Sequence, residues 1–341
     1  MMGASYGLVL GQGRSGTNWI MDCLDASRIT FCRNEPDECI PSFFDQLTNS
    51  WRIGADGAAI ANQWDELVGK TITHMGERDH RLDNPKVYVN SLSQAVGVAQ
   101  LSARLHLRFA VNRAFPNWST GEWKMQPWIG DLNHPDIFAV IKLVQSYNWA
   151  TWVLENRPEV PVVQIVRHPG GRHESFLRRY IARADAEQTR LAKIEQLREL
   201  MTEDGLGERI GNVDELSLAQ AETWFGVYQM EVFEQRAQRS PKYLRVVYED
   251  MVADPGRVIE RIFDHFGLTL DHETRTVIDN LRGTSVFGAV NPDINAQTQG
   301  WRDRLSEGTI SEIEEILATS TIQSWWPVDE IECETVLKRP A

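Results

Sequence analysis

The stretch Tyr6-Gly7-Leu8-Val9-Leu10-Gly11-Gln12-Gly13-Arg14-Ser15-Gly16-Thr17-Asn18-Trp19 constrains the chain most. An apolar run gives way to glycines, a cation and hydroxyls, then to Trp19-Ile20-Met21-Asp22-Cys23-Leu24. That order predicts a strand, a tight loop and a helix. Glycine lets backbone N–H groups converge at a helix start, where the helix dipole adds partial positive charge, and together they cradle a phosphate. The loop therefore points to a nucleotide phosphate at the start of the first helix. An ATP or GTP loop of the G-x-x-x-x-G-K-[ST] kind needs a Lys on the outer phosphates and a hydroxyl on Mg²⁺. Gly11 and Gly16 keep that spacing, but Thr17 and Asn18 stand in the Lys and Ser/Thr places. The cation lies inside the loop, at Arg14, which disfavours kinase chemistry.

Composition narrows the class. With 341 residues, 42% hydrophobic and 24% charged, the chain is long enough for one large α/β domain or two small ones. A net charge of −13 argues against a broad face for a nucleic acid polymer. No apolar run reaches the roughly 18–20 residues of a membrane span. The first residues lack a basic region followed by a long apolar core, so no secretory signal is expected. Cys23, Cys32, Cys39 and Cys333 have no metal-ligand spacing and are expected as thiols in a reducing, cytoplasmic setting, with no metal bound.

Strand and helix patterns alternate along the chain. A short strand or turn is expected within residues 29–37, returning toward the cradle, and Asp136-Ile137-Phe138-Ala139-Val140-Ile141-Lys142 reads as a buried strand ending in a cation. Residues 160–169 form another strand, ending in Arg167, His168 and Pro169, and residues 243–251 a further strand and turn. Helices are expected at 149–156, as one long charged helix over 172–203, and at 217–237, where Trp224, Phe225, Tyr228 and Phe233 have core-like spacing. Asp254 and Pro255 suit a helix start and Gly267 its stop, and residues 306–318 are amphipathic. Helical spacing also occurs at 56–68 and 91–107, inside an aromatic-rich region, 41–135, that includes Phe43, Phe44, Trp51, Trp64, Tyr88, Phe115, Trp118, Trp123 and Trp128. The expected fold is a P-loop-like three-layer α/β sandwich, a parallel central sheet with helices on both faces, in a single domain over 1–341.

Gly13-Arg14-Ser15-Gly16-Thr17 resembles the 5′-phosphosulfate loop of sulfotransferases that use 3′-phosphoadenosine 5′-phosphosulfate (PAPS), in the branch with Arg in the loop. Asn34-Glu35-Pro36 resembles the segment after the first helix whose Glu is the base on the acceptor, which implies that role for Glu35. Lys142 resembles the Lys that the family sets against the bridging oxygen of the donor. Val144 stands where the cytosolic branch has its His base, which leaves Glu35 as the candidate. The family's 3′-phosphate site is a strand-end Arg with a Ser eight residues later in the first turn of a helix, and Arg167 and Ser175 match it. A guanidinium offers a bidentate, charge-assisted contact to such a phosphate. Tyr248-Glu249-Asp250, Asp254-Pro255 and Phe266-Gly267-Leu268 match a third landmark, which implies Tyr248 near the adenine. Gly300-Trp301-Arg302 match the later half of a loop that folds over the cofactor; its early Arg-Lys-Gly is absent.

The resemblance covers roughly residues 6–35, 137–176 and 243–318. It implies transfer of a sulfuryl group from PAPS, leaving PAP, to a hydroxyl or amine of a small-molecule, lipid or glycan acceptor, with residues 41–135 as the acceptor-binding insertion. The implied catalytic residues are Glu35, Arg14 and Lys142. Donor contacts are implied for Gly13, Arg14, Ser15, Gly16, Thr17, Asn18, Arg167, Ser175, Tyr248, Trp301 and Arg302. His168 is expected to be structural rather than a base. The alternatives are a non-catalytic nucleotide-binding module, which needs neither Glu35 nor Lys142, and, further off, a P-loop kinase.

Overall fold

Five apolar runs become the strands of one parallel sheet: β1 (Ser5–Gly11), β2 (Thr30–Asn34), β3 (Phe138–Val144), β4 (Val162–Val166) and β5 (Tyr243–Val247). The computed structural model describes residues 5–35, 136–144, 146–179, 185–204, 206–281, 284–285, 288–289 and 293–326, with scattered positions between 61 and 114. The strand order is β2-β3-β1-β4-β5, every neighbour parallel. Successive side chains of a strand face opposite ways, so each run feeds two cores. Leu8, Leu10, Ile141, Leu143, Val162 and Val166 join one, and Val9, Val140, Val163 and Ile165 the other.

The helices follow in chain order. They are α1 (Thr17–Asp25), α2 (Tyr147–Asn156), α3 (Pro169–Arg179), α4 (Ala186–Asp204), α5 (Leu206–Ile210) and α6 (Leu218–Ala237). Then come α7 (Tyr248–Ala253), α8 (Pro255–Phe266), α9 (His272–Leu281), α10 (Ile294–Thr298), α11 (Trp301–Arg304) and α12 (Glu307–Ala318). Residues of α2, α4, α6 and α12 build the first core, and those of α1, α8 and α9 the second. The result is the three-layer α/β sandwich. Local chemistry sets several ends. Ser217 and Gln220 form a reciprocal capping box before α6. Asp254 accepts from Arg257 N, Pro255 opens α8, and Gly267 closes it at φ 67°.

Two expectations change. The long charged helix over 172–203 is two helices, α3 and α4, and residues 180–184 between them lie outside the described residues. Helix α3 also begins earlier than expected, at Pro169, whose fixed φ suits a first helical position. Ser175 therefore lies in the second turn, and the start of the helix falls at the strand end beside Arg167. Trp64 and Tyr88 lie in the core. Trp64 stacks on Trp149 and donates to Tyr6 Oη at 2.9 Å, and Tyr88 donates to Thr30 O at 2.9 Å. Phe43, Phe44, Trp51, Phe115, Trp118, Trp123, Trp128, Cys39 and Cys333 lie outside the described residues, as do most of 56–68 and 91–107.

Strand β1 has β3 on one side and β4 on the other, and the chain goes from β1 to β2 on the β3 side before crossing to β4. Such a reversal opens a crevice at the carboxyl ends of the strands. At the opposite edge of the sheet, where α1 ends and β2 begins, a buried cation ties the chain together: Lys86 Nζ donates to Asp25 Oδ1 at 3.0 Å, Asp25 O at 2.5 Å and Ser27 O at 2.8 Å. Replacing Lys86 with Met removes the cation paired with the buried Asp25 carboxylate. Urea denaturation of Lys86→Met should show a loss of about 3–5 kcal/mol, partly restored by adding Asp25→Ala.

Candidate active site

The crevice begins with the loop between β1 and α1. Gly16 has φ 100°, and a Cβ there would lie 2.6 Å from the Tyr248 ring, so glycine is required both by conformation and by contact. Among the described residues, Arg14 (φ 72°) and Glu35 (φ 51°) are the non-glycine residues with left-handed backbone. Each costs about 1–2 kcal/mol, and strain of this kind collects at functional sites. No side chain caps α1, which leaves its first N–H groups for an anion. Ser15 and Thr17 are buried and shape the loop: Ser15 Oγ donates to Gln12 O at 2.7 Å, and Gln12 Nε2 donates to Gly226 O at 2.9 Å, tying the loop to α6.

A second basic corner meets this loop. Arg14 Nε donates to Ser175 Oγ at 3.0 Å, and Arg167 Nη1 donates to Arg14 O at 3.1 Å. Arg167 Nη2 reaches Gln297 O at 3.4 Å, its guanidinium lies 4.4 Å over the Tyr248 ring, and Tyr248 meets Trp19 edge-on. Arg167 Nε is buried without a hydrogen-bond partner. An orphaned guanidinium N–H costs free energy, and here it lies beside Gly171, where a Cβ would come within 3.1 Å of it. The structure thus brings Gly16, Arg14, Arg167, Ser175 and Tyr248 together, and the orphaned donor suits an anion.

The third group lies at the ends of β2 and β3. Lys142 is fully buried, and its ammonium donates to Asn18 Oδ1, to Asn34 Oδ1 at 2.6 Å and to Glu35 Oε1 at 2.5 Å. Glu35 N in turn donates to Lys142 O at 3.0 Å, which fixes the turned backbone to β3. Asn34 was not singled out by sequence reasoning, although it precedes Glu35 in the Asn-Glu-Pro segment.

His168, Trp301 and Arg302 form a packed cluster behind Arg167. His168 stacks on Trp301 with ring centroids 4.6 Å apart, and Trp301 is buried against Gly170. Arg302 lies over the other ring system of that stack, 4.3 Å from the Trp301 centroid, and pairs with Glu314 at 2.8 Å. His168 Nδ1 accepts from Gly170 N at 3.1 Å, a role that only the neutral ring can play. Glu249 receives His168 N at 3.1 Å and Trp326 Nε1 at 3.1 Å; burial raises its pKa while the Arg167 charge opposes the rise. Among the described residues no group of three His, Cys, Asp or Glu side chains is placed to hold a metal, and no helix is long and apolar enough to cross a membrane.

The model of the sulfotransferase family matches residues 8–272. The chain belongs to the sulfotransferase family. None of the curated proteins matches it in sequence. Among solved structures, it is similar to the sulfotransferase domain of the curacin biosynthetic pathway, at 16% identity over 96% of this chain and 100% of that one, with a TM-score of 0.45. The sulfotransferase domain of a Synechococcus olefin synthase is 16% identical over 93% of this chain and 96% of that one, with a TM-score of 0.40. A Mycobacterium tuberculosis sulfotransferase is 14% identical over 89% of this chain and 76% of that one, with a TM-score of 0.36.

In this sulfotransferase-family chain His168 reports on the packing behind Arg167. Burial first, then the charges of Arg302 and Arg167, push its pKa from 6.5 down to about 3. As pH falls, the unfolded chain takes up this proton before the folded one. The contribution is complete above pH 6.5 and is lost as pH falls toward 3. Unfolding free energy measured from pH 7 to 4 should drop with a shallower slope in His168→Asn, which keeps an acceptor for Gly170 N.

Proposed function

We propose that this chain transfers a sulfuryl group from PAPS to a hydroxyl or amine of a small-molecule, lipid or glycan acceptor. The observation that supports this most is the contact between the two basic corners: Arg14 Nε on Ser175 Oγ and Arg167 Nη1 on Arg14 O. A doubly phosphorylated adenosine needs one anion site for each end, opening on one crevice. Ser175 offers Arg14 a neutral acceptor, which a phosphate oxygen replaces with a stronger, charge-assisted bond. The orphaned Arg167 Nε and the uncapped start of α1 are suited to the two phosphate ends. Gly13, Gly16 and Asn18 shape the first end, and Tyr248 is the candidate for the adenine side.

PAPS supplies the sulfuryl group and, as PAP, the leaving group. Glu35, in reach of Lys142, takes the acceptor proton on its carboxylate. Arg14 and Lys142 offset charge developing on the transferred group and on the phosphate oxygen left behind. Fixed cations in a desolvated site are worth several kcal/mol of barrier reduction. The strained backbone at both Arg14 and Glu35 supports a catalytic role over a passive nucleotide-binding one. The cytoplasm suits the buried thiols Cys23 and Cys32. The acceptor belongs, on this proposal, to the region 41–135.

Two substitutions test the roles. Glu35→Gln should cut turnover with labelled PAPS by about 10² or more without weakening PAP binding; near-normal turnover removes Glu35 from the mechanism. Arg167→Ala should weaken PAP binding by calorimetry far more than 5′-AMP binding, and equal losses would mean that Arg167 does not hold the 3′-phosphate.

A further inference from the structure

An ammonium has three protons to donate, and those of Lys142 are directed at Asn18 Oδ1, Asn34 Oδ1 and Glu35 Oε1. Of these three acceptors only Glu35 carries a charge. A buried ammonium is costly without a counter-charge, and here Glu35 supplies it. The two partners also differ in depth: the Lys142 side chain is 1% exposed and that of Glu35 13%. Glu35 N remains anchored on Lys142 O at 3.0 Å, so rotation of the Glu35 side chain alone separates the two charges.

On the sulfotransferase reading, a second anion, the 5′-phosphate end of the donor, claims the same ammonium. We propose that Glu35 and the donor compete for Lys142, so that the base is masked by an ion pair until a donor displaces it. In the unloaded protein Lys142 holds Glu35 by Oε1. In the loaded protein Lys142 turns to the donor oxygen, still carried by the neutral Asn18 and Asn34, and the Glu35 carboxylate is released toward the acceptor. The carboxylate then takes the acceptor proton as the bond from acceptor to sulfur forms. The bond from sulfur to the phosphate oxygen breaks, and its electron pair stays on that oxygen, facing Lys142. Asn34 is on this view a positioning residue: it keeps the ammonium in place during the exchange without competing for charge. The device ties proton abstraction to donor occupancy and imposes an order, donor before acceptor.

PAP carries the competing phosphate and is the probe. Calorimetry on the wild type, Glu35→Gln, Lys142→Met and the double variant forms a thermodynamic cycle. Removing the Glu35 charge should tighten PAP binding about three- to tenfold. In the Lys142→Met background the same change should alter affinity less than about twofold. Unchanged or weaker PAP binding in Glu35→Gln would overturn the proposal, and so would tightening that persists without Lys142, because that is plain repulsion between carboxylate and phosphate. A crystal structure of the wild type with PAP stands independently of whether Lys142→Met folds. It should show Lys142 Nζ on a 5′-phosphate oxygen and Glu35 outside hydrogen-bond range, and PAP bound with the 2.5 Å pair intact would refute the exchange. Failure of the wild type to bind PAP would overturn the sulfotransferase donor reading itself, and this inference with it.

Discussion

A fully buried ammonium organises the carboxyl edge of the sheet. Lys142 enters from β3 and draws in Asn18 from the start of α1 and Asn34 and Glu35 from the end of β2. Each element supplies an oxygen that the charge requires, so the positions of all three are set by a single desolvated group. The left-handed backbone of Glu35 follows from this: its N–H must meet Lys142 O while its carboxylate meets Lys142 Nζ. The strain at that turn is offset by the counter-charge it delivers.

The glycine loop is placed by a different set of contacts. Gln12 fastens it to α6, Ser15 closes it on itself, and Tyr248 lies against Gly16 while stacking on Arg167. The loop and the end of β4 are therefore linked through an aromatic ring and through the Arg14 carbonyl. Arg14 donates to the Ser175 hydroxyl and Arg167 to the Arg14 and Gln297 carbonyls, contacts that join the two corners. The cluster of His168, Trp301 and Trp326 stiffens this corner from behind, with a ring that burial keeps neutral.

Much of this was legible in the sequence because it depends on short-range rules. The alternation in Leu8-Val9-Leu10 and Val140-Ile141 feeds two cores as a doubly covered strand must. Asp254, Pro255 and Gly267 bound α8 where cap chemistry puts them. Long-range pairings were not legible. The helix expected over 172–203 is two helices, and the first starts at Pro169, at the end of β4, a tertiary placement that charge patterning does not report. Asn34 gained a role only because a strand distant in sequence, β3, runs beside β2. Trp301 is buried because the missing Cβ at Gly170 admits its ring, a contact that motif spacing does not report.

The basic corners and the buried ion pair act as one unit only if a single ligand spans them. The most direct measurement is calorimetric titration with PAP, 5′-AMP and 3′-AMP, alone and in competition. A shared crevice predicts that PAP binds more tightly than either monophosphate by about 10² or more, as joined contacts do, and that each monophosphate is displaced by it. PAP binding no tighter than 5′-AMP, with 3′-AMP binding undisturbed by PAP, would contradict it.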